Sequence, residues 1–134
     1  MDVDSHDLEL PSLEVLPTAM DLFMFSAVSW NRHAIHYNAD AAMKDGFSDI
    51  AVHRALIGAY LARMLTSWMD PADRIVRLEW RVIASAQVNS SLICRGQVTS
   101  WVESSEGVVV ECAVSAERED GVKVAVGSAQ VLRA

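Results

Sequence analysis

From His53 to Trp68 the chain reads HRALIGAYLARMLTSW, and apolar or small residues fall on nearly every side of a helix drawn through it. Ala55, Leu56, Ile57, Ala59, Tyr60, Leu61, Met64, Leu65 and Trp68 leave only Arg54, Arg63 and the Thr66/Ser67 pair as a polar edge. A helix that apolar, and too short to span a bilayer, is predicted to lie in the middle of a packed fold. Met69-Asp70-Pro71 ends it, because proline cannot continue a helix. Beyond Ala72 the period of the pattern changes to that of strands. Residues 74–84 alternate, with Ile75, Arg77, Glu79 and Arg81 on one face and Val76, Leu78, Trp80 and Val82 on the other. Further strand-like runs follow at 91–103, 108–117 and 122–132, separated by the turn signals Ser104-Ser105-Glu106-Gly107 and Glu119-Asp120-Gly121.

Ahead of the long helix the pattern is more broken. Residues 1–17 carry acids and two prolines, Pro11 and Pro17, and read as an extended or loosely held arm. The apolar run at 18–26, with Leu22, Phe23, Met24 and Phe25 in a row, reads as a buried first strand, a short helix being the alternative. Residues 27–37 form a short helical or turn segment. Asn38 is a helix N-cap, and the short helix after it stops at Gly46. A loop at 47–51 leads into the long helix. The order predicts a single α+β domain over 18–134, an antiparallel sheet curled around one long central helix.

Composition narrows the function classes. A chain of 134 residues, 51% hydrophobic and 22% charged, can bury a core without disulfides or metal. The net charge of −7 and the lack of a basic run argue against a nucleic-acid partner. No apolar run approaches bilayer length, so no membrane partner is expected. The acidic start, MDVDSHDLEL, lacks a signal pattern. Cys94 and Cys112 sit in apolar, strand-like stretches without a CxxC; reduced core thiols and a cytoplasmic setting are the expectation.

Candidate chemistry concentrates in the polar strip NRHAIHY at 31–37. An imidazole titrates near neutral pH and can both take and give a proton. His33 and His36 with Asp40 would be the start of a metal site, but no third strong ligand pattern follows, and none is expected. His6, in the arm, is given no role. Met20, Met24, Met43, Met64 and Met69 are read as core filler.

The runs FSAVSWNRHAIHYN from Phe25, ADAAMKDGF from Ala39 and IAVHRAL from Ile50 resemble the MaoC-like hydratases and dehydratases of the hotdog fold. The likeness is sharpest to the subgroup with an N-x-H-x-I-H-Y motif, which includes mesaconyl-CoA hydratases and 3-hydroxyacyl-thioester dehydratases. It covers residues 20–100. The resemblance implies a substrate held as a thioester on coenzyme A or acyl carrier protein, with water added to or removed from the α,β double bond. It implies no cofactor beyond coenzyme A as part of the substrate. Two such units usually pair so that their sheets join, so a homodimer, a higher homo-oligomer or a heterodimer with another MaoC-like chain is expected.

Residue by residue, His36 matches the family's catalytic histidine. Asn31 stands where the wider family has an aspartate; an amide cannot take a proton but can orient water. His33 is the second catalytic candidate, tuning His36 or holding water. The free N–H groups at the start of the long helix suit the carbonyl oxygen as it gains charge. There His53 and Arg54 become candidates for substrate binding, with Arg54 standing where the family usually has glycine. Tyr37 and Trp30 are further substrate-binding candidates. Arg77 and Arg81 read as a solvated face, with a grip on a coenzyme A phosphate as the alternative. Two other functions fit the same fold: a catalytically silent subunit that shapes an active partner's pocket, motivated by Asn31 and Arg54, and an acyl-CoA thioesterase. The latter needs a carboxylate at the carbonyl carbon, for which Asp40, Asp45 and Asp49 are the nearest in sequence.

Overall fold

The computed structural model describes residues 8–134. Residues 1–7 of the predicted arm, His6 included, lie outside the described residues. In chain order the elements are β1 (Leu13–Val15), α1 (Ala19–Ser29), a 3-10 turn (Ala34–His36), α2 (Ala39–Lys44), α3 (Arg54–Trp68), β2 (Arg74–Val82), β3 (Leu92–Ser104), β4 (Gly107–Arg118) and β5 (Lys123–Arg133). The strands form one five-stranded sheet in the order β1-β3-β4-β5-β2. Every neighbouring pair is antiparallel.

The predicted long helix is α3, and the sheet curls over it. Leu56, Ile57, Gly58, Leu61, Met64 and Leu65 are buried, and all but Gly58 share one core with Leu92, Cys94, Val114 and Val131 of the sheet. These helix positions recur every three or four residues and make one broad stripe. The opposite side, Ala55, Ala59, Arg63 and Thr66, is exposed. The apolar residues on several sides of α3 therefore meet the sheet on one side only. Cys94 and Cys112 are free and buried, and burial pushes both thiols up to about 11.

The segment at 18–26 is helical rather than a strand. Thr18 Oγ1 accepts from the Asp21 amide, and the Asp21 carboxylate accepts from the Thr18 amide, a reciprocal cap that starts α1. A β-strand would leave that pairing unmade. Nor is the run fully buried: Leu22 and Ser26 point inward, while Met20, Phe23, Met24 and Val28 are exposed. The arm carries β1, which pairs Leu13 with Cys94 and Val15 with Leu92, and Leu10 is anchored by its amide on the Gly96 carbonyl.

In β2 the register slips between Ile75 and Arg77, which face Val131 and Gln130 of β5. Val76 is the extra residue, as in a β-bulge. Ile75 therefore turns inward with Leu78, Trp80 and Val82, and Val76 turns out, a correction to the strict alternation expected there. Asp120-Gly121 makes the β4–β5 turn, with Gly121 at φ 84°, where glycine carries no steric cost.

Candidate active site

The polar strip is mostly spent on its own folding. Trp30 ends α1 in the left-handed region (φ 60°), and the Asn31 amide donates back to the Ser26 carbonyl at 3.0 Å. The Asn31 side-chain carbonyl then accepts from the His33 amide at 3.1 Å. His33 caps the 3-10 turn, its Nδ1 accepting from the Ile35 amide at 3.4 Å. The Tyr37 hydroxyl donates to the Arg32 carbonyl at 2.8 Å. Asn38 caps α2 through the Ala41 amide. These short-range bonds fold the strip into a tight reversal that drives one side chain, His36, into the protein.

Residue Ala51 receives that reversal with both of its backbone groups. Its amide donates to the Ile35 carbonyl at 2.9 Å, and its carbonyl lies 2.7 Å from His36 Nδ1. A carbonyl only accepts, so in neutral His36 the proton sits on Nδ1 and the Nε2 lone pair is left for chemistry. His36 is 8% exposed. Burial lowers its pKa below the ordinary 6.5, the bond to Ala51 opposes this, and the charge of His33, whose ring centroid is 6.0 Å away, adds to the lowering.

Behind His36 lies a second imidazole. His53, the N-cap residue of α3, stacks on it with centroids 3.8 Å apart and planes 18° apart. His53 is 1% exposed. Its Nε2 is hydrogen bonded to the Ser26 hydroxyl of α1 at 2.7 Å, and Phe25 meets its ring edge-on at 4.8 Å. Its Nδ1 is buried without a partner among the described residues. Burial, with His36 beside it, lowers its pKa to about 4.

His36 opens on a cleft of about 600 Å³. Asn31, Arg54 and Ser85 line it with His36, and Ile35, Phe47 and Trp80 add apolar surface to its walls. The start of α3 borders this cleft too, through Arg54 and Ala55. The first intrahelical donor is the Ile57 amide, bonded to the His53 carbonyl. The amides before it are free of the helix ladder, and the His53 side chain does not cap them. The Trp80 indole donates to the Arg54 carbonyl at 3.0 Å and rests on Gly58, where a β-carbon would overlap it. Past Arg54 and Trp80 a second hollow, of about 740 Å³, is bordered by Glu79, Arg81 and Ser128.

Of the residues singled out from sequence, His36, Asn31 and Arg54 meet at the cleft. His53 lies behind His36 rather than in the cleft. His33 is exposed and occupied with the turn. Trp30 and Tyr37 border a separate hollow of about 150 Å³ beside α1. Trp30 is 75% exposed and carries the Arg32 guanidinium 4.5 Å above its ring. Arg77 pairs with Glu79 at the surface. Among the described residues no three metal-ligating side chains converge, and no helix is long and apolar enough to cross a membrane. Ser26, the Ala51 carbonyl, Trp80 and Ser85 went unread. Ser26 had a signal: a lone hydroxyl inside the apolar run FMFSAV needs a buried partner.

The profile of the hydroxyacyl-thioester dehydratase type 2 family matches residues 4–88, well over half of the chain. The chain belongs to that family. The match contains the strip, α3 and β2, and therefore every residue that borders the cleft. No curated protein matches in sequence. Among solved structures, the (R)-hydratase from A. caviae involved in PHA biosynthesis superposes with a TM-score of 0.85 at 15% identity, over 94% of each chain. A chain of the ChsH1-ChsH2 complex from Mycobacterium tuberculosis gives 0.83 at 17% identity, over 94% of this chain and 95% of that one. The HadBC (3R-hydroxyacyl-ACP dehydratase) complex from the same organism gives 0.78 at 12%, over 94% and 93%. At these identities the likeness is one of fold, and the fold is the hotdog.

Proposed function

We propose that this member of the family is an enoyl-thioester hydratase, or in the reverse direction a 3-hydroxyacyl-thioester dehydratase, with His36 as the proton-transfer residue. The observation that carries the reading is the bond from His36 Nδ1 to the Ala51 carbonyl, which leaves Nε2 as a base beside a cleft that the start of α3 also borders. In hydration, Nε2 takes a proton from water and the hydroxide oxygen bonds to the β-carbon. The double-bond pair moves onto the thioester carbonyl, and the first-turn amides of α3 hold the enolate oxygen. The proton on Nε2 then passes to the α-carbon, and the carbonyl re-forms. Asn31, whose side-chain carbonyl is engaged by the His33 amide, has its NH₂ left to orient the water. These steps need an imidazole, backbone amides and water, and no cofactor beyond the coenzyme A or carrier protein of the substrate.

The test is hydration of crotonyl-CoA and bulkier enoyl-CoAs. His36→Ala is expected to lose about 10²- to 10⁴-fold in kcat, the range of general acid–base catalysis. Turnover retained in that variant removes His36 from the reaction.

One observation favours a second reading, in which the chain pairs with an active MaoC-like partner and is itself silent. Arg54 places a cation and a long side chain at the helix start where the thioester would approach. Assay of the purified chain alone, beside its mass, separates the two: an active homo-oligomer excludes the silent subunit. A thioesterase is disfavoured because Asp40, Asp45 and Asp49 do not border the cleft, whose described walls carry no carboxylate.

A further inference from the structure

We propose that the Ser26–His53 pair is a positioning device for His36: His53 fixes the plane of the reacting imidazole by stacking, and Ser26 fixes His53. The inference rests on the reading of His36 as the proton-transfer residue.

The need for such a device follows from geometry. A single hydrogen bond, Nδ1 to the Ala51 carbonyl, fixes one atom of the His36 ring. It does not hold the plane of the ring: without a second contact the ring can tilt, which bends the N–H···O bond, loosens its hold on the Nδ1–H tautomer and swings Nε2 across the cleft. A second constraint is required to hold a plane, and the face of His53 at 3.8 Å and 18° is that constraint. His53 is held in turn at two points, by Ser26 Oγ at 2.7 Å and by the edge contact with Phe25. Three elements thus converge on one ring: α1 through Phe25 and Ser26, the start of α3 through His53, and the 3-10 turn through His36 itself.

Core filling does not account for His53. Its Nδ1 is buried with no partner among the described residues, and an unpaired buried nitrogen is costly. A phenylalanine or leucine would fill the space without that cost. An imidazole offers what they lack, a flat face together with an edge nitrogen that Ser26 can hold. Charge fits the same role. Among the described residues, His33 of the turn lies 6.0 Å from the His36 ring, and Arg54 of α3 lines the same cleft. The described cleft walls carry no carboxylate to neutralise a second cation. Two imidazolium rings in face contact repel, and burial keeps His53 neutral down to about pH 4. His36 can therefore take a proton without meeting a second positive charge.

The test pairs nitrogen NMR of the histidine rings with steady-state kinetics on Ser26→Ala, His53→Leu and His53→Phe. In the wild type His36 is expected to show a single Nδ1–H tautomer. In His53→Leu that signal should give way to a mixture, with kcat down about 10²-fold, as for an ångström-scale misplacement of a reacting group, and KM little changed. His53→Phe, which restores a flat face, should recover part of the loss in both readouts. Ser26→Ala, which loses only the hydroxyl, should fall between and carries the test if His53→Leu does not fold. An unchanged His36 tautomer together with unchanged kcat in the variants overturns the inference. So does a loss of activity that lies wholly in KM. A wild type without turnover, whose His36 tautomer is still lost in His53→Leu, removes the catalytic reading and leaves the positioning contact standing.

Discussion

At the scale of single residues, His53 makes a prediction about stability that is independent of activity. Its pKa falls from 6.5 to about 4 in the folded chain. Between those values the unfolded chain binds the proton and the folded chain does not, so stability rises with pH through that window. The contribution is complete above 6.5 and is lost progressively as pH falls towards 4, by which point the loss amounts to about 3 kcal/mol on the scale that links pKa to free energy. Urea unfolding between pH 7 and 4 should show that loss, and His53→Phe should flatten it. An equal slope in the variant would show that other groups set the pH dependence. His36, also lowered by burial, acts in the same direction. For the proposed catalysis that lowering means that the acid limb of kcat/KM should fall below pH 6.5. At this scale the sequence was informative about which residue types mattered and less so about their use. Asn31, His33, Tyr37 and Asn38 stand out in the strip because polar residues cluster there, yet hydrogen bonds within a few residues engage all four side chains, Asn31 through its carbonyl alone. The partner of His53 is 27 residues away in sequence, and no local pattern predicts such a contact.

At the scale of elements, α3 and the strands after it were legible because each has one dominant period. The first segment was not. Leu22-Phe23-Met24-Phe25 satisfies a strand as well as a helix, and the deciding signal is the Thr18/Asp21 cap. Thr18→Ala should therefore destabilise the chain by about 1 kcal/mol, read as a lower urea midpoint. The contact between α3 and β2 gives a sharper test. Alanine in place of a mid-helix glycine ordinarily adds stability, up to about 1 kcal/mol. At Gly58 a β-carbon would overlap the Trp80 indole, whose Nε1 holds the Arg54 carbonyl at 3.0 Å. Gly58→Ala should reverse the usual sign and cost about 1–3 kcal/mol, the range for overpacking a core. It should also raise KM, since Trp80 and Arg54 both border the cleft. A more stable variant with unchanged KM would mean that the indole moves aside freely.

At the scale of the whole molecule, a sheet edge and a helix face are left open among the described residues. β2 is an edge strand, bonded to β5 on one side only, and an unpaired edge is a template for another strand. The outward side of α1 presents Met20, Phe23, Met24 and Val28, the last of them 81% exposed. Exposed apolar side chains gathered on one helix face make that face a candidate interaction surface. The ChsH1-ChsH2 and HadBC structures, whose fold this chain shares, are described as complexes, in keeping with the proposed pairing to a second hotdog chain, its own copy or another. Sedimentation of the purified chain should then give at least twice the 14.7 kDa of one copy. If the α1 side is part of the contact, Phe23→Glu with Val28→Glu should lower the mass to one copy while the fold is kept, because both side chains are already exposed and leave no cavity. Turnover lost together with the oligomer would place the partner at the active site. Turnover retained in the monomer would confine the chemistry to the cleft of one chain. A wild type that sediments as a monomer and turns over enoyl-CoA would instead leave the α1 side and the β2 edge without a role in catalysis.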